Sequence, residues 1–202
     1  SVTFMAKPHH DWVGSSCHIH SSLWRDGENA FAGETELFRH YLAGQIACLG
    51  DLAIFVAPVV NSYKRFAAGS WAPTTLAWGY DNRTTAFRVP VSDPQARRVE
   101  NRLPSSDANP YLALAASLAS GLLGIMKEIE PTAPTEDAAN EGSIDLPRGL
   151  LEAVALLEDE PAFEEVFGAE FIGLYAGVKR GEFETFMQVI SPWEREFLLL
   201  NV

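Results

Sequence analysis

"RRVENRLPSSDANPYLALAA", residues 97–116, passes directly from a strand into a helix and so decides the class of fold. In "RRVENRLP" the two-residue period of an extended chain puts Arg98, Glu100 and Arg102 on one face. Three charges on one strand face are costly unless they pair or bind something. In "DANP" Asn109 is a natural N-cap and Pro110 fits the first helical position, so a helix is expected to run from there to about Glu130. Its Ala, Ser and Gly content permits close packing against a neighbour.

Working outward, "TLAWGY" and "TAFRVP" read as two further short strands between turn-forming pieces. "VTFMAKP" and "SSCHIHSSLW" read as strands near the start, and the Asp26-Gly27 pair of "RDGEN" signals a tight hairpin. From Glu34 to about Val56 apolar residues recur at helical spacing until Pro58, which predicts one long packed helix. Residues 131–143 are a polar loop, and the remainder to Val202 reads as several amphipathic helices. The chain is therefore expected to be an α+β protein with a helical C-terminal region, without internal repeats.

Composition narrows the function. The 202 residues are 47% hydrophobic, enough for one well-packed core. Cys17 and Cys48 lie in segments that read as core and give no disulfide framework, so a reducing, cytoplasmic setting is expected. The opening "SVTFMAKP" has no basic region followed by an apolar core, so no secretory signal is expected. The net charge of −12 argues against nucleic acid as a partner. The one membrane-length stretch, residues 41–60, is interrupted by Gln45, Asp51 and Pro58, which favours a buried helix over a span.

Charge is unevenly spread. Residues 64–102 carry seven Lys and Arg against three Asp and Glu, a cationic island in an acidic chain. Arg65, Arg83 and Arg88 are expected near the strand that carries Arg98 and Arg102. Converging guanidiniums suit bidentate capture of phosphate or carboxylate oxygens, though the same arginines could simply make structural ion pairs. Neither GxxxxGK[ST] nor GxGxxG occurs, so any nucleotide is held without a standard glycine cradle. In "GSSCHIHSS", residues 14–22, His18, His20 and Ser22 share one strand face: either a site or two satisfied histidines. His18 and Glu100 by themselves do not complete a metal shell.

"TFMAKP", "GSSCHIHSSLWRDGENAFAG", "NSYKR", "GSWAP", "WGYDNRTTAFRVP", "ARRVENRLP" and "DANPYLALAA", in that order and spacing, resemble the C-terminal portion of the glutamine synthetase family's catalytic domain. The likeness runs from about Val2 to Gly124 and more loosely to the end. It implies that residues 1–202 are the later part of that domain, built of short, mostly antiparallel strands flanked by helices. The family's N-terminal β-grasp domain and the first half of its catalytic domain are absent, so the chain by itself is expected to be inactive. The family's chemistry is ATP-dependent: the γ-carboxylate of glutamate is phosphorylated, and an amine or ammonia displaces the phosphate. ATP, Mg2+ or Mn2+, and a double-ring homo-oligomer, typically a dodecamer, are implied with it.

Carried over position by position, the resemblance makes His18 and Glu100 metal ligands, and His20, Ser22, Arg88 and Arg98 nucleotide contacts. Arg83 would be aimed at the phosphoryl group in flight. Arg65 and Arg102 would bind glutamate and meet the transferring phosphoryl group, with Gly14 offering its backbone to glutamate. Positioned cations that spread charge over the equatorial oxygens are what phosphoryl transfer needs.

Two positions depart from the pattern. Trp71 stands in "GSWAP" where the ammonia-using enzymes place a glutamate that binds ammonium and takes its proton, which an indole cannot do. Trp71 could instead contact a larger amine, so the reading favours a γ-glutamyl-amine ligase whose acceptor is a polyamine, ethanolamine or a similar amine. Val13 replaces an asparagine that would contact glutamate. The alternatives are a true glutamine synthetase using ammonia, a non-catalytic structural or regulatory relative, and an α+β domain that binds some anionic metabolite.

Overall fold

A computed structural model describes residues 1–139 and 145–199. Its strands are β1 (Ile19–Ser21), β2 (Trp24–Arg25), β3 (Glu28–Asn29), β4 (Trp78–Tyr80), β5 (Phe87–Val89) and β6 (Val99–Asn101). The helices are α1 (Glu36–Cys48), α2 (Ala53–Val56), α3 (Val60–Tyr63), α4 (Pro110–Met126), α5 (Leu150–Asp159), α6 (Ala162–Phe167), α7 (Ala169–Met187) and α8 (Pro192–Leu198). Four strands form one sheet in the order β1-β6-β5-β4, antiparallel except for the β4–β5 pair, so the chain is α+β as expected.

The register of that sheet sorts its side chains into two faces. Trp78, Phe87, Asn101 and Ile19 stand in one cross-strand row, and all four are buried. This is the core face, and Asn101 is admitted to it because its amide donates to Ser117 Oγ of α4 at 2.9 Å. The adjacent row is Gly79, Arg88, Glu100 and His20, on the opposite face. One face of the sheet thus packs on helices while the other carries the charged and titratable side chains.

The β2–β3 hairpin turns at Asp26 and Gly27, with φ of 53° and 83°, the two left-handed residues that the Asp-Gly signal predicts. Asn109 Oδ1 accepts from the Tyr111 and Leu112 amides, capping α4 at the predicted residue. Helices α1 and α4 cross at glycines: a Cβ on Gly44 would lie 2.2 Å from the Ser120 carbonyl oxygen and 2.6 Å from Gly124 Cα. Only glycine allows the two backbones this close.

Several expectations fail locally. "VTFMAKP" forms no strand, because Asn61 replaces a ladder partner: its amide side chain binds both the N–H and the C=O of Lys7, at 2.8 and 2.9 Å. "SSCHIHSSLW" is two strands broken at Ser22 and Leu23. The long helix from Glu34 to Val56 is α1 and α2 separated by a turn at residues 49–52. Leu49, Leu52, Ile54 and Phe55 are all fully buried, so the apolar spacing continued through the turn and masked the break. Helix α4 ends at Met126 rather than near Glu130, and Glu128 takes a left-handed φ of 50° beyond it. Cys17 is exposed and Cys48 half-buried rather than core, and both are free.

Residues 131–139 run without regular structure beside the sheet, where the Thr132 carbonyl accepts from the Trp78 indole at 2.7 Å. The rest of the predicted loop, residues 140–143, lies outside the described residues, as do residues 200–202. The C-terminal helices form as expected: α5 packs on α7, and Leu150, Val154, Phe163 and Ile172 join the core. No described helix is long and apolar enough to cross a membrane.

Candidate active site

Glu100 is the hub of the polar face. Its side chain is 4% exposed, yet three cationic or polar groups reach it from different elements. Arg88 on β5 donates from Nη1 to Oε2 at 2.6 Å, and Arg102, just past β6, donates from Nη1 to Oε1 at 2.8 Å. His18, just before β1, places Nδ1 3.1 Å from the same Oε1. Burial by itself would raise the Glu100 pKa, but the hydrogen bonds from His18, Arg88 and Arg102 outweigh it and hold the carboxyl well below the usual range. Glu100 is therefore a permanent anion at neutral pH.

Arg88 uses its planar fork twice, its Nη2 meeting Asp81 Oδ1 at 2.6 Å. His20 sits across from Glu100 in the register and accepts from Arg98 Nε at 3.2 Å through Nδ1. Burial lowers the His20 pKa, and nearby Arg98, His18 and Arg88 add to that against the pull of Glu100. Ser22 Oγ accepts from the Trp24 indole at 2.9 Å.

Beside this cluster lies a cavity of about 120 Å³, lined by Gly14, His18, Arg65, Trp71 and Arg102 together with Val13. Arg65 follows α3 and is 4% exposed, with a hydrogen bond from Nη2 to the Leu103 carbonyl and its Cζ 4.7 Å from the Phe66 ring centre. Burial pushes its pKa down to about 10, with Asp107 opposing the shift, so it remains a cation at neutral pH. Among the described residues no carboxylate pairs with it, and its Nε has no partner. The Arg102 Nε is likewise buried and unpartnered. Two buried guanidiniums facing one small cavity carry more positive charge than the single carboxylate between Arg88 and Arg102 offsets, which favours an anionic guest.

The structural ion-pair alternative holds for Arg88 and in part for Arg102, both bound to Glu100, but not for Arg65. Thus Gly14, His18, Arg65, Trp71 and Arg102 meet at one cavity, and His20, Arg88, Arg98 and Glu100 adjoin His18 on the sheet face. Arg83 stays apart: it is exposed on the β4–β5 loop and makes no ion pair among the described residues. Sequence reasoning missed Asp81, second partner of Arg88, and Ser16, whose Oγ lies 3.0 Å from His18 Nε2. Both lie inside motifs already quoted, but their partners come from the fold or from a turn. It also missed His9, His10 and Asp11, the one exposed grouping of three ligand-type side chains among the described residues.

The donor set fits a hard divalent cation as part of a shell. His18 Nδ1 and Glu100 Oε1 are 3.1 Å apart, close to the ~3 Å separating adjacent ligands of an octahedral ion with bonds of about 2.1 Å. Ser16 holds the other imidazole nitrogen and so aims Nδ1 at the carboxylate.

An α+β domain whose sheet face joins imidazole, carboxylate and guanidiniums beside a cationic cavity offers a donor set suited to anionic, phosphate-like groups. The family model described as "Glutamine synthetase, catalytic domain" matches residues 1–198, and the chain belongs to that family. It is 44% identical over 199 residues to the gamma-glutamylethanolamide synthetase GlnA4 of Streptomyces coelicolor, covering 96% of this chain and 43% of that protein. A glutamate–isopropylamine ligase of a Pseudomonas species is 38% identical, over 96% of this chain and 45% of that protein. A glutamine synthetase of Thermococcus kodakarensis is also 38% identical, over 94% of this chain and 45% of that protein. The chain spans less than half the length of these relatives.

Proposed function

We propose that this chain is the C-terminal catalytic portion of an ATP-dependent ligase that joins an amine to the γ-carboxylate of glutamate. The observation that carries the reading is the pair of buried guanidiniums, Arg65 and Arg102, facing a cavity with Gly14 and Trp71. In this account Arg65 and Arg102 hold the glutamate carboxylate and then the acyl phosphate, while Gly14 offers backbone to the substrate. Arg83 swings in to spread charge over the phosphoryl oxygens, a task supported by its exposure and by its making no ion pair among the described residues. His20, Ser22, Arg88 and Arg98 face the nucleotide.

His18 and Glu100 are the residues that would hold Mg2+ or Mn2+, and the ion would offset phosphate charge. Their shell is partial, and we infer that the rest of it comes from the portion of the full-length protein that corresponds to the relatives' other half. The Arg88 and Arg102 bonds to Glu100 keep its carboxylate ionised and correctly turned for that role.

In the second half-reaction the lone pair of a neutral amine attacks the γ-carbonyl carbon. The C–N bond forms, the C–O bond to phosphate breaks, and phosphate leaves with that electron pair while the surplus N–H proton passes to water or phosphate. Trp71 supports an organic amine as acceptor, of the ethanolamine or polyamine type, because it offers no base for ammonium. The names of two relatives, an ethanolamide synthetase and an isopropylamine ligase, lend the same support. Assembly into a double-ring homo-oligomer, in the family a dodecamer, belongs to the same proposal.

Thermal unfolding of the full-length protein tests the reading against a non-catalytic relative. ADP with Mn2+ or Mg2+ should raise the melting temperature, by about 2.7 kcal/mol of stabilisation at a hundredfold excess over Kd. A melting temperature unmoved by nucleotide and metal would leave only the structural role.

A further inference from the structure

The polar stretch at residues 131–139 has no regular structure, yet it is tied down along its length. The Thr132 carbonyl accepts from the Trp78 indole and the Thr135 N–H donates to the Trp78 carbonyl, each at 2.7 Å, so the segment runs beside β4. Gly79 permits that approach: a Cβ there would lie 2.5 Å from the Thr135 carbonyl oxygen and 3.0 Å from Asn82 Cβ. Gly79 shares its cross-strand row with Arg88, Glu100 and His20, so the segment borders the polar face of the sheet. Asn82 then donates from its amide nitrogen to the Thr135 and Asp137 carbonyls, at 3.0 and 2.9 Å. Its Oδ1 accepts from the Thr84 N–H at 3.0 Å and from the Thr84 hydroxyl at 2.7 Å. The Thr84 oxygen in turn accepts from the Ala139 N–H at 2.9 Å, and the Ala139 carbonyl accepts from Thr75 Oγ1 at 3.2 Å. Arg83 stands between Asn82 and Thr84 with its side chain exposed.

We propose, resting on the ligase reading and on the part Arg83 plays in it, that residues 132–139 are a strap that positions Arg83 for phosphoryl transfer, acting through Asn82 and Thr84. A guanidinium that stabilises charge developing in the transition state has to be in place beforehand, and a long exposed side chain gains that placement from a fixed backbone. The strap fixes the backbone on both sides of Arg83. Every one of these bonds is made by its neighbours, so the arginine side chain keeps its reach. On the other flank Asp81 binds Arg88 at 2.6 Å, which ties the same turn to the sheet. The amide of Asn82 is needed for this, because its nitrogen donates to two carbonyls while its oxygen accepts twice. Asn82 and Thr84 are thus positioning residues, and Gly79 is the gap that lets the strap lie close enough to reach them.

The test is steady-state amide synthesis by the full-length protein with glutamate, ATP and ethanolamine, for Thr84→Val and Thr84→Ser in the wild-type and Arg83→Ala backgrounds. Thr84→Val, which keeps the side-chain shape and loses the hydroxyl, should lower kcat by about tenfold and leave the KM for ATP within about twofold, the pattern of a contact made only in the transition state. Thr84→Ser should stay near the wild-type rate. In the Arg83→Ala background Thr84→Val should lower the residual rate no further, because the strap then has nothing to position. Gly79→Ala, whose Cβ meets the Thr135 carbonyl, should show the same dependence on Arg83 and serves if Thr84→Val does not fold. An equal loss in both backgrounds, an unchanged kcat in Thr84→Val, or a wild-type rate in Arg83→Ala overturns this inference and leaves the ligase reading standing. No amide from the wild-type protein with any amine, ammonia included, overturns both.

Discussion

Gly14 and Arg65 touch: a Cβ built on Gly14 would lie 2.7 Å from Arg65 Cγ and 3.1 Å from its Cδ. The glycine is thus the opening through which the arginine stem reaches the cavity. Gly14→Ala should displace the guanidinium and raise the KM for glutamate by about tenfold or more in the full-length enzyme, with a smaller change in kcat. An unaltered KM would mean that Arg65 does not bind glutamate.

Removing Glu100 strands Arg102 and leaves Arg88 only its exposed partner Asp81. Glu100→Ala should cost roughly 3–5 kcal/mol in urea unfolding, because Arg102 is buried and Arg88 nearly so. Asp81→Asn removes the other partner of Arg88, a carboxylate 46% exposed, and should cost less than about 1 kcal/mol. Equal losses would show that Glu100 is one surface acid among others rather than the hub of the cluster.

Trp71→Glu introduces a carboxylate base into the loop at residues 70–72. Ammonia-dependent turnover should rise relative to that with bulkier amines, read as the ratio of their kcat/KM values. If that ratio stays as in the wild type, the loop at residues 70–72 does not choose the acceptor.

Asp51 sits in the turn that divides α1 from α2, and burial, with a smaller push from Glu160, raises its pKa above the usual 3.8. A raised acid binds its proton more readily when folded, so it lowers stability above that pKa and the loss fades as the pH falls toward 3.8. Asp51→Asn should therefore melt higher than the wild type at pH 7, the two converging in acid. Melting curves across pH check this, and a parallel offset at every pH would contradict it.

What could be read from sequence was local. The Asp26-Gly27 hairpin, the Asn109 cap and the alternation at residues 98–102 each depend on a few neighbouring residues, and each forms as read. The break at residues 49–52 was hidden because both helices bury apolar residues toward one core, so periodicity reported burial rather than continuity. The gathering of Gly14, His18, Arg65, Trp71 and Arg102 was legible only through the resemblance of their motifs, since nothing in their spacing requires it. Asp81 was invisible as a partner of Arg88 because that pair is made by the approach of β5 to the end of β4.

The central claim is that the reaction passes through a glutamyl phosphate, the species for which Arg65 and Arg102 are proposed to be placed. Glutamate labelled with ¹⁸O in its γ-carboxylate, turned over by the full-length protein with ATP and an amine, tests it directly by mass spectrometry of the released phosphate. The account predicts one ¹⁸O atom transferred to each phosphate for each amide formed. Unlabelled phosphate accompanying amide formation would contradict it.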